Sequence, residues 1–267
     1  MSGIGDKLRH YEGVAKVYDE FRPIYPASFL ARLGEALTAE PTPELAQGAG
    51  TVYDIGAGTG IFTRQLRTLL PAAMPIVGVE PASDMCAHAA ASVADLPNIT
   101  FVNGAAEHLP AEDGAGRAVL AATAAHWFAR AQFYGEAARV LRPGGVLAIV
   151  QYFRDKERSP IVQDFLAYLL DNQARRPPKR PDYLEELQAR PDFGPVEQVT
   201  DLKELPLSFA QFAGLALSSP TTRDVVDRLG QAKVERALHD IARRHAVGDD
   251  LVQYGFVFQY FLTRRVS

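Results

Sequence analysis

Between residues 51 and 150 the chain alternates short apolar stretches with amphipathic ones of about ten residues, which limits the fold more than any other feature. The short stretches are 51–55, 76–80, 99–102, 119–122 and 146–150. They are continuously apolar, as strands buried on both faces must be. Such strands belong to a parallel sheet covered by helices on either side. The stretches 62–70, 84–93 and 133–141 have helical spacing, and the last ends at Arg142-Pro143-Gly144-Gly145, a strong stop. Connections of this kind are right-handed crossovers. The expected architecture is therefore α/β, a doubly wound sheet.

The flanks have a different character. Segments 6–17 and 27–37 have helical spacing, separated by the break Arg22-Pro23-Ile24-Tyr25-Pro26. Residues 40–50 are rich in Pro, Gly and Ala and read as a linker. Residues 159–190 hold two amphipathic helical stretches around Arg175-Arg176-Pro177-Pro178-Lys179-Arg180. Residues 194–206 look extended, and 208–246 are helical, with starts expected at Ser208 and Ser219-Pro220. Finally 251–262 alternates, with Val252, Tyr254, Phe256, Phe258 and Tyr260 on one face, as a late strand joining a sheet edge would. There is no internal repeat.

Composition narrows the class. At 267 residues the chain can bury a large core without disulfides. Its single cysteine, Cys86, excludes an internal disulfide framework and a cysteine-based zinc site, and no metal is expected. Twenty-eight basic against 32 acidic residues leave a net charge of -4, which disfavours nucleic acid as the main partner. No apolar run reaches the ~18 residues needed to span a bilayer. The opening MSGIGDKLRHYEG lacks the apolar segment of a secretory signal. A cytoplasmic protein without membrane attachment is the expectation, and an Ala- and Arg-rich composition with few lysines points to a bacterial source.

The most informative segment is Val52-Tyr53-Asp54-Ile55-Gly56-Ala57-Gly58-Thr59-Gly60-Ile61-Phe62, where a strand runs into a helix. Glycines there let the backbone turn tightly and a ligand approach closely. A dinucleotide fingerprint wants Gly or Ala three places after the second glycine, and Ile61 stands there. No Lys-Ser or Lys-Thr follows, so it is not a P-loop either. Asp54, two residues before the first glycine, would repel a pyrophosphate but suit an ammonium group. Glu80 ends the second strand, 24 residues after Gly56, where an acid can accept both hydroxyls of a ribose. A ligand with a ribose, a cationic amino-acid end and no phosphate is described by S-adenosylmethionine.

These residues resemble those of class I S-adenosylmethionine-dependent methyltransferases, and within that group the small-molecule enzymes similar to trans-aconitate methyltransferase. The matching segments are Tyr18 to Pro26, Asp54 to Gly60, Val79-Glu80-Pro81, Gly104 to Pro110, Ala125-His126-Trp127-Phe128, and Glu136 with Arg139 to Gly145. The resemblance implies a seven-stranded, mostly parallel sheet with N-terminal helices and a helical lid. The implied division is a cap at 1–50, a cofactor-binding core at 51–154 and 191–267, and a lid at 155–190. It implies that Asp54 and the backbone of Gly56, Ala57, Gly58 and Gly60 surround the methionine part of the cofactor. Glu80 and Pro81 would border the ribose, and Met85, Ala105, Ala106 and Glu107 the adenine. Thr123 would lie near the methyl-transfer centre, with Tyr18, Arg22 and Tyr25 capping the cofactor. Two departures stand out: Ala105 and Arg117 occupy positions where relatives usually carry aspartate.

Several residues admit a plainer reading. Asp54 and Glu80 could be a helix cap and a turn acid, Met85 and Cys86 core residues, and Tyr18 and Tyr25 core filling. His126 could be a packed histidine or a general base facing the acceptor. The implied reaction is in-line displacement of the cofactor's methyl group by an O, N or C nucleophile of a small molecule, a carboxylate or natural product among the candidates. Its main requirement is alignment, on the order of 7–11 kcal/mol. The acceptor pocket is expected from the N-terminal helices, 155–190 and 208–246. A carboxylate acceptor would be held by arginines of the 154–180 region. The rivals are the same fold using the cofactor structurally for a cyclisation or rearrangement, a methyltransferase acting on RNA or protein, and a noncatalytic binding protein.

Overall fold

The computed structural model describes residues 22–38, 50–172 and 180–266. The expected helix at 6–17, Tyr18, most of the linker at 40–50, and Arg175 to Lys179 lie outside those residues. The elements in chain order are α1 (Ala27–Thr38), β1 (Thr51–Ile55), α2 (Ile61–Leu69), β2 (Ile76–Glu80), α3 (Ser83–Ser92), β3 (Ile99–Asn103), β4 (Gly116–Ala122) and α4 (Arg130–Val140). There follow β5 (Leu141–Arg154), α5 (Pro160–Asp171), α6 (Tyr183–Gln188), β6 (Glu197–Ser208), α7 (Phe209–Leu217), α8 (Pro220–Leu229), α9 (Gln231–Arg244) and β7 (Leu251–Arg264).

Seven strands form one sheet in the order β3-β2-β1-β4-β5-β7-β6. The first five pair in parallel, and β7 runs antiparallel to both β5 and β6. The chain winds outward from β1 through β2 to β3, then returns to β4 on the other side of β1. That reversal creates a switch point at the carboxyl ends of β1 and β4, the place where such sheets bind ligands. One expectation needs correction: the late strand is not at an edge. β7 lies between β5 and β6, and β6 forms the edge. Alternation tells which face a side chain takes, not which strands become neighbours.

Successive strand residues feed opposite cores. Val52, Ala118, Leu120, Val146 and Ala148 pack with α1, α2, α5 and α7 to α9. Tyr53, Ile55, Val119, Ala121, Leu147 and Ile149 pack with α4 and α6. Both faces are therefore covered, which is why these strands are mostly apolar. The segment after β5 changes faces: Phe165 and Leu169 of α5 belong to the first core, Tyr183 and Leu187 of α6 to the second. Among the described residues no helix is long and apolar enough to cross a membrane.

Arg117, at the start of β4, has a structural part. It is buried, and its Nε and Nη2 donate to the Leu37 carbonyl at 2.9 and 2.6 Å, tying the end of α1 to the sheet. An aspartate there could not supply those donors. Arg117→Met should therefore cost about 2 kcal/mol, read in a melting experiment as a Tm lower by roughly 4–8 °C. An unchanged Tm would mean the tether is without energetic weight.

Candidate active site

The segment from Gly56 to Gly60 turns sharply because it must connect the end of β1 to α2 directly over the sheet. The amides of Gly56 and Ala57 both donate to the Val79 carbonyl, at 2.8 and 3.1 Å, clamping the turn onto the end of β2. Gly56 has φ +68, and a Cβ there would come within 2.6 Å of the Ala124 Cβ. Gly58 has φ +57, yet a Cβ there would meet nothing within 4 Å. The turn is thus closed on the protein side at Gly56 and open on the other at Gly58. A ligand can approach the backbone from that open side.

Two acids bracket the turn. Asp54 is fully buried on β1. Its Oδ2 accepts from the Thr63 hydroxyl at 2.6 Å, whereas Oδ1 is buried with no hydrogen-bond partner. Burial pushes its carboxyl up to about 7, against the pull of the Thr63 hydrogen bond and with a smaller push from Glu80. An orphaned buried carboxylate oxygen is costly, and a donor or cation brought by a ligand would satisfy it. Glu80, at the end of β2, is also buried. Its Oε2 accepts from the Gly58 amide and its Oε1 from the Ala82 amide, both at 2.9 Å. Burial raises its carboxyl and these two amides oppose the rise. Each oxygen retains a lone pair for a further donor.

Thr123 follows β4 with φ +52, a conformation a β-branched residue rarely adopts. Its amide donates to the Val150 carbonyl at 2.6 Å, and its Oγ1 lies 2.5 Å from the Tyr25 hydroxyl. Tyr25 is buried; its ring packs edge-on to Phe62 and Tyr152. Gln65 of α2 fixes its backbone on both sides, accepting from the Tyr25 amide at 3.0 Å and donating to its carbonyl at 2.8 Å. Arg22 reaches the Tyr152 hydroxyl at 3.4 Å. The structure thus brings Arg22, Tyr25 and Thr123 together at the carboxyl end of the sheet.

His126 belongs to a short turn of 3-10 helix, Ala125–Trp127, just past β4. It is solvent-exposed, with protein atoms crowded on its inner side. Burial, then the charges of Arg180, Arg130 and Arg22, lower its imidazolium to about 4. At neutral pH the ring is uncharged and has a lone pair to accept a proton.

The other sequence-predicted residues divide. Met85 and Ala106 are buried, Met85 on α3. Ala105 forms an isolated bridge with His108. The Pro81 carbonyl accepts from Asn103 at 3.0 Å. Glu107 accepts from the Ala129 amide at 2.6 Å, so its carboxylate holds the start of α4. Thr63 and Gln65 escaped sequence reading because an ordinary helical pattern conceals their partners; Tyr25 is 40 residues from Gln65. Among the described residues no group of three or more His, Cys, Asp or Glu is placed to hold a metal ion.

Comparison with known proteins returns the same fold. Residues 52–145 match the family model described as "Methyltransferase domain". An uncharacterized methyltransferase of Mycobacterium bovis is 36% identical over 139 residues, 52% of this chain and 50% of that one. The chain spans about half the length of the curated relatives it matches. Among solved structures, a candidate type II methyltransferase from Anaeromyxobacter dehalogenans superposes with a TM-score of 0.63 at 22% identity, over 92% of this chain and 98% of that one. A phosphoethanolamine N-methyltransferase of Haemonchus contortus, in complex with phosphomonomethylethanolamine and S-adenosylhomocysteine, gives 0.53 at 15% identity, over 99% and 58%. The seven-stranded sheet with its covering helices is the Rossmann-like fold of these methyltransferase structures.

Proposed function

We propose that this chain transfers the methyl group of S-adenosylmethionine to an oxygen, nitrogen or carbon nucleophile of a small molecule. The observation that carries this reading is the unsatisfied Oδ1 of buried Asp54 beside a glycine turn with an open side. A cationic amino-acid end fits it, and a pyrophosphate does not. Glu80, with acceptor capacity left on both oxygens, suits a ribose. The domain match at 52–145 supports the same assignment. When bound, S-adenosylmethionine supplies a methyl group already activated on a sulfonium.

On this reading Asp54 receives the cofactor's amino group, and Gly56, Ala57, Gly58 and Gly60 border its methionine part. Glu80 and Pro81 border the ribose; Met85, Ala105, Ala106 and Glu107 the adenine. Thr123 shapes the transfer centre, and Tyr18, Arg22 and Tyr25 cap it. His126, neutral at physiological pH, accepts a proton from the acceptor where the nucleophile carries one. Residues 1–50 serve as the cap and 155–190 as the lid, and the chain acts as a soluble, cytoplasmic bacterial enzyme.

Calorimetric titration with S-adenosylmethionine over pH 5.5 to 8.5 tests the reading. Below about 7 the Asp54 carboxyl holds a proton that must leave before the group can pair with an ammonium. Affinity should therefore fall as pH falls, by up to about tenfold per unit, with net proton release. Asp54→Asn should flatten the slope. Absence of binding at every pH would refute the reading, as would failure to form S-adenosylhomocysteine in a metabolite extract supplied with methyl-labelled cofactor.

A further inference from the structure

We infer that Glu136 and Arg139 of α4 are positioning residues: they hold the loop between β3 and β4 so that its backbone selects adenine over other bases. The inference rests on the methyl-transfer reading for the word "adenine", since that reading sets residues 105–107 beside the base. The anchoring itself is read from geometry.

Residues 104–115 join β3 to β4 without helix or strand, apart from a single bridge between Ala105 and His108. The backbone groups of such a loop need partners from elsewhere. One turn of α4 supplies them. Glu136 Oε2 accepts from the Leu109 amide at 2.8 Å. Arg139 Nη2 donates to the Leu109 carbonyl at 3.1 Å, and its Nη1 to the Ala111 carbonyl at 2.8 Å. Arg139 also donates to both Glu136 oxygens, at 2.9 and 2.8 Å, so each side chain fixes the orientation of the other. A further bond, to Asp113 at 2.7 Å, ends on an exposed carboxylate and adds little. The Leu109 side chain is buried in the second core. Toward β3, the Gly104 amide donates to the Glu80 carbonyl at 3.3 Å. The loop is thus tied to the strand carrying Glu80 at one end and to α4 at the other.

What lies between those ties gives the anchors a use. Residues 105 and 106 are both alanine, and a methyl group makes no hydrogen bond. Glu107 cannot substitute, because its carboxylate is engaged by the Ala129 amide at 2.6 Å. Polar recognition of a base here therefore falls to the main chain. Among the described residues, the amides of Ala106 and Glu107 have no acceptor. An N–H donor fits the ring N1 of adenine, which accepts, and opposes the N1 of hypoxanthine, which carries a hydrogen. Such a contact discriminates only if the amide cannot swing away from the wrong base. Glu136 and Arg139, holding Leu109 and Ala111 just beyond, prevent that movement.

The test is calorimetric titration of the full chain with S-adenosylhomocysteine and S-inosylhomocysteine. The two ligands share the amino-acid end and the ribose, so the ratio of their affinities isolates the base. The parent should prefer S-adenosylhomocysteine by about tenfold or more. Arg139→Met and Glu136→Ala should each bring the ratio below about threefold, mainly by weakening S-adenosylhomocysteine. Glu136→Gln still offers an acceptor to the Leu109 amide and should keep most of the preference. A role confined to stability would weaken both ligands alike and leave the ratio unchanged. Melting curves check folding; should Arg139→Met not fold, Glu136→Ala, which keeps a strong helix former in α4, carries the test. No preference in the parent, a parental ratio in a folded Glu136→Ala variant, or a loss in Glu136→Gln as large as in Glu136→Ala would overturn the inference. Failure of both ligands to bind the parent would strike the methyl-transfer reading and the inference with it; binding with an unaltered ratio strikes the inference alone.

Discussion

Asp54→Ala is expected to weaken S-adenosylhomocysteine binding at pH 8 by roughly a hundredfold, about 2.7 kcal/mol. The reason is that Asp54 Oδ1 is buried without a partner, and the ligand's ammonium group is the donor proposed to satisfy it. At pH 8 the carboxyl is mostly ionised, since burial raises it only to about 7. A charge-assisted bond inside the protein is therefore lost. Asp54→Asn should lose nearly as much while still accepting from the Thr63 hydroxyl, which separates loss of charge from loss of structure. Calorimetry reads the affinities. An Asp54→Ala affinity within threefold of the parent would place the amino-acid end of the cofactor elsewhere.

The second large effect is on folding. Gly56→Val should cost about 3 kcal/mol, made of about 1–2 for a β-branched residue at positive φ and the remainder for overlap. The overlap is specific: an added Cβ stands 2.6 Å from the Ala124 Cβ and 3.2 Å from the Phe128 ring. Both neighbours lie in the turn beyond β4, so relief would require moving the segment that carries His126. A Tm lower by roughly 6–12 °C is the expected reading. Gly58→Ala is the control, with φ +57 but open space around the added carbon. It should cost only about 1 kcal/mol. Equal losses at the two positions would show that backbone conformation, not the Ala124 contact, sets the requirement.

The difference between those glycines shows how far the sequence could be read. The spacing of Asp54, Gly56, Gly58 and Gly60 marked the turn, because a strand entering a helix with so few side chains has few uses. It could not say which glycine faces protein and which faces the ligand side, since Ala124 arrives from the turn beyond β4. The inner parallel strands were legible for a similar reason: burial on both faces makes β1, β2, β4 and β5 mostly apolar, whereas β3, at the edge, has no buried residue. The place of β7 was not legible, because its alternation fixes two faces and no neighbours. Arg117 stood out only as a departure from the usual aspartate; its partner, the Leu37 carbonyl, is 80 residues away and leaves no local trace. Arg180 was noticed as part of a basic run, but its stacking on Phe153 and its bond to Gln151 depend on the chain crossing from one face of the sheet to the other.

That β7 sits between β5 and β6 bears on how the polypeptide matures as it leaves the ribosome. β5 and β6 are both synthesised first; β5 pairs with β4 on one side, but its other side and the whole of β6 wait until residues 251–264 have emerged. Through that interval the nascent chain carries unpaired strand borders on β5 and β6, which are sticky to other chains. The parallel half has no such wait, since β1 to β5 pair among themselves. Maturation should therefore proceed in two stages, with the second confined to the moment after translation passes residue 264, and chaperone dependence should be concentrated there.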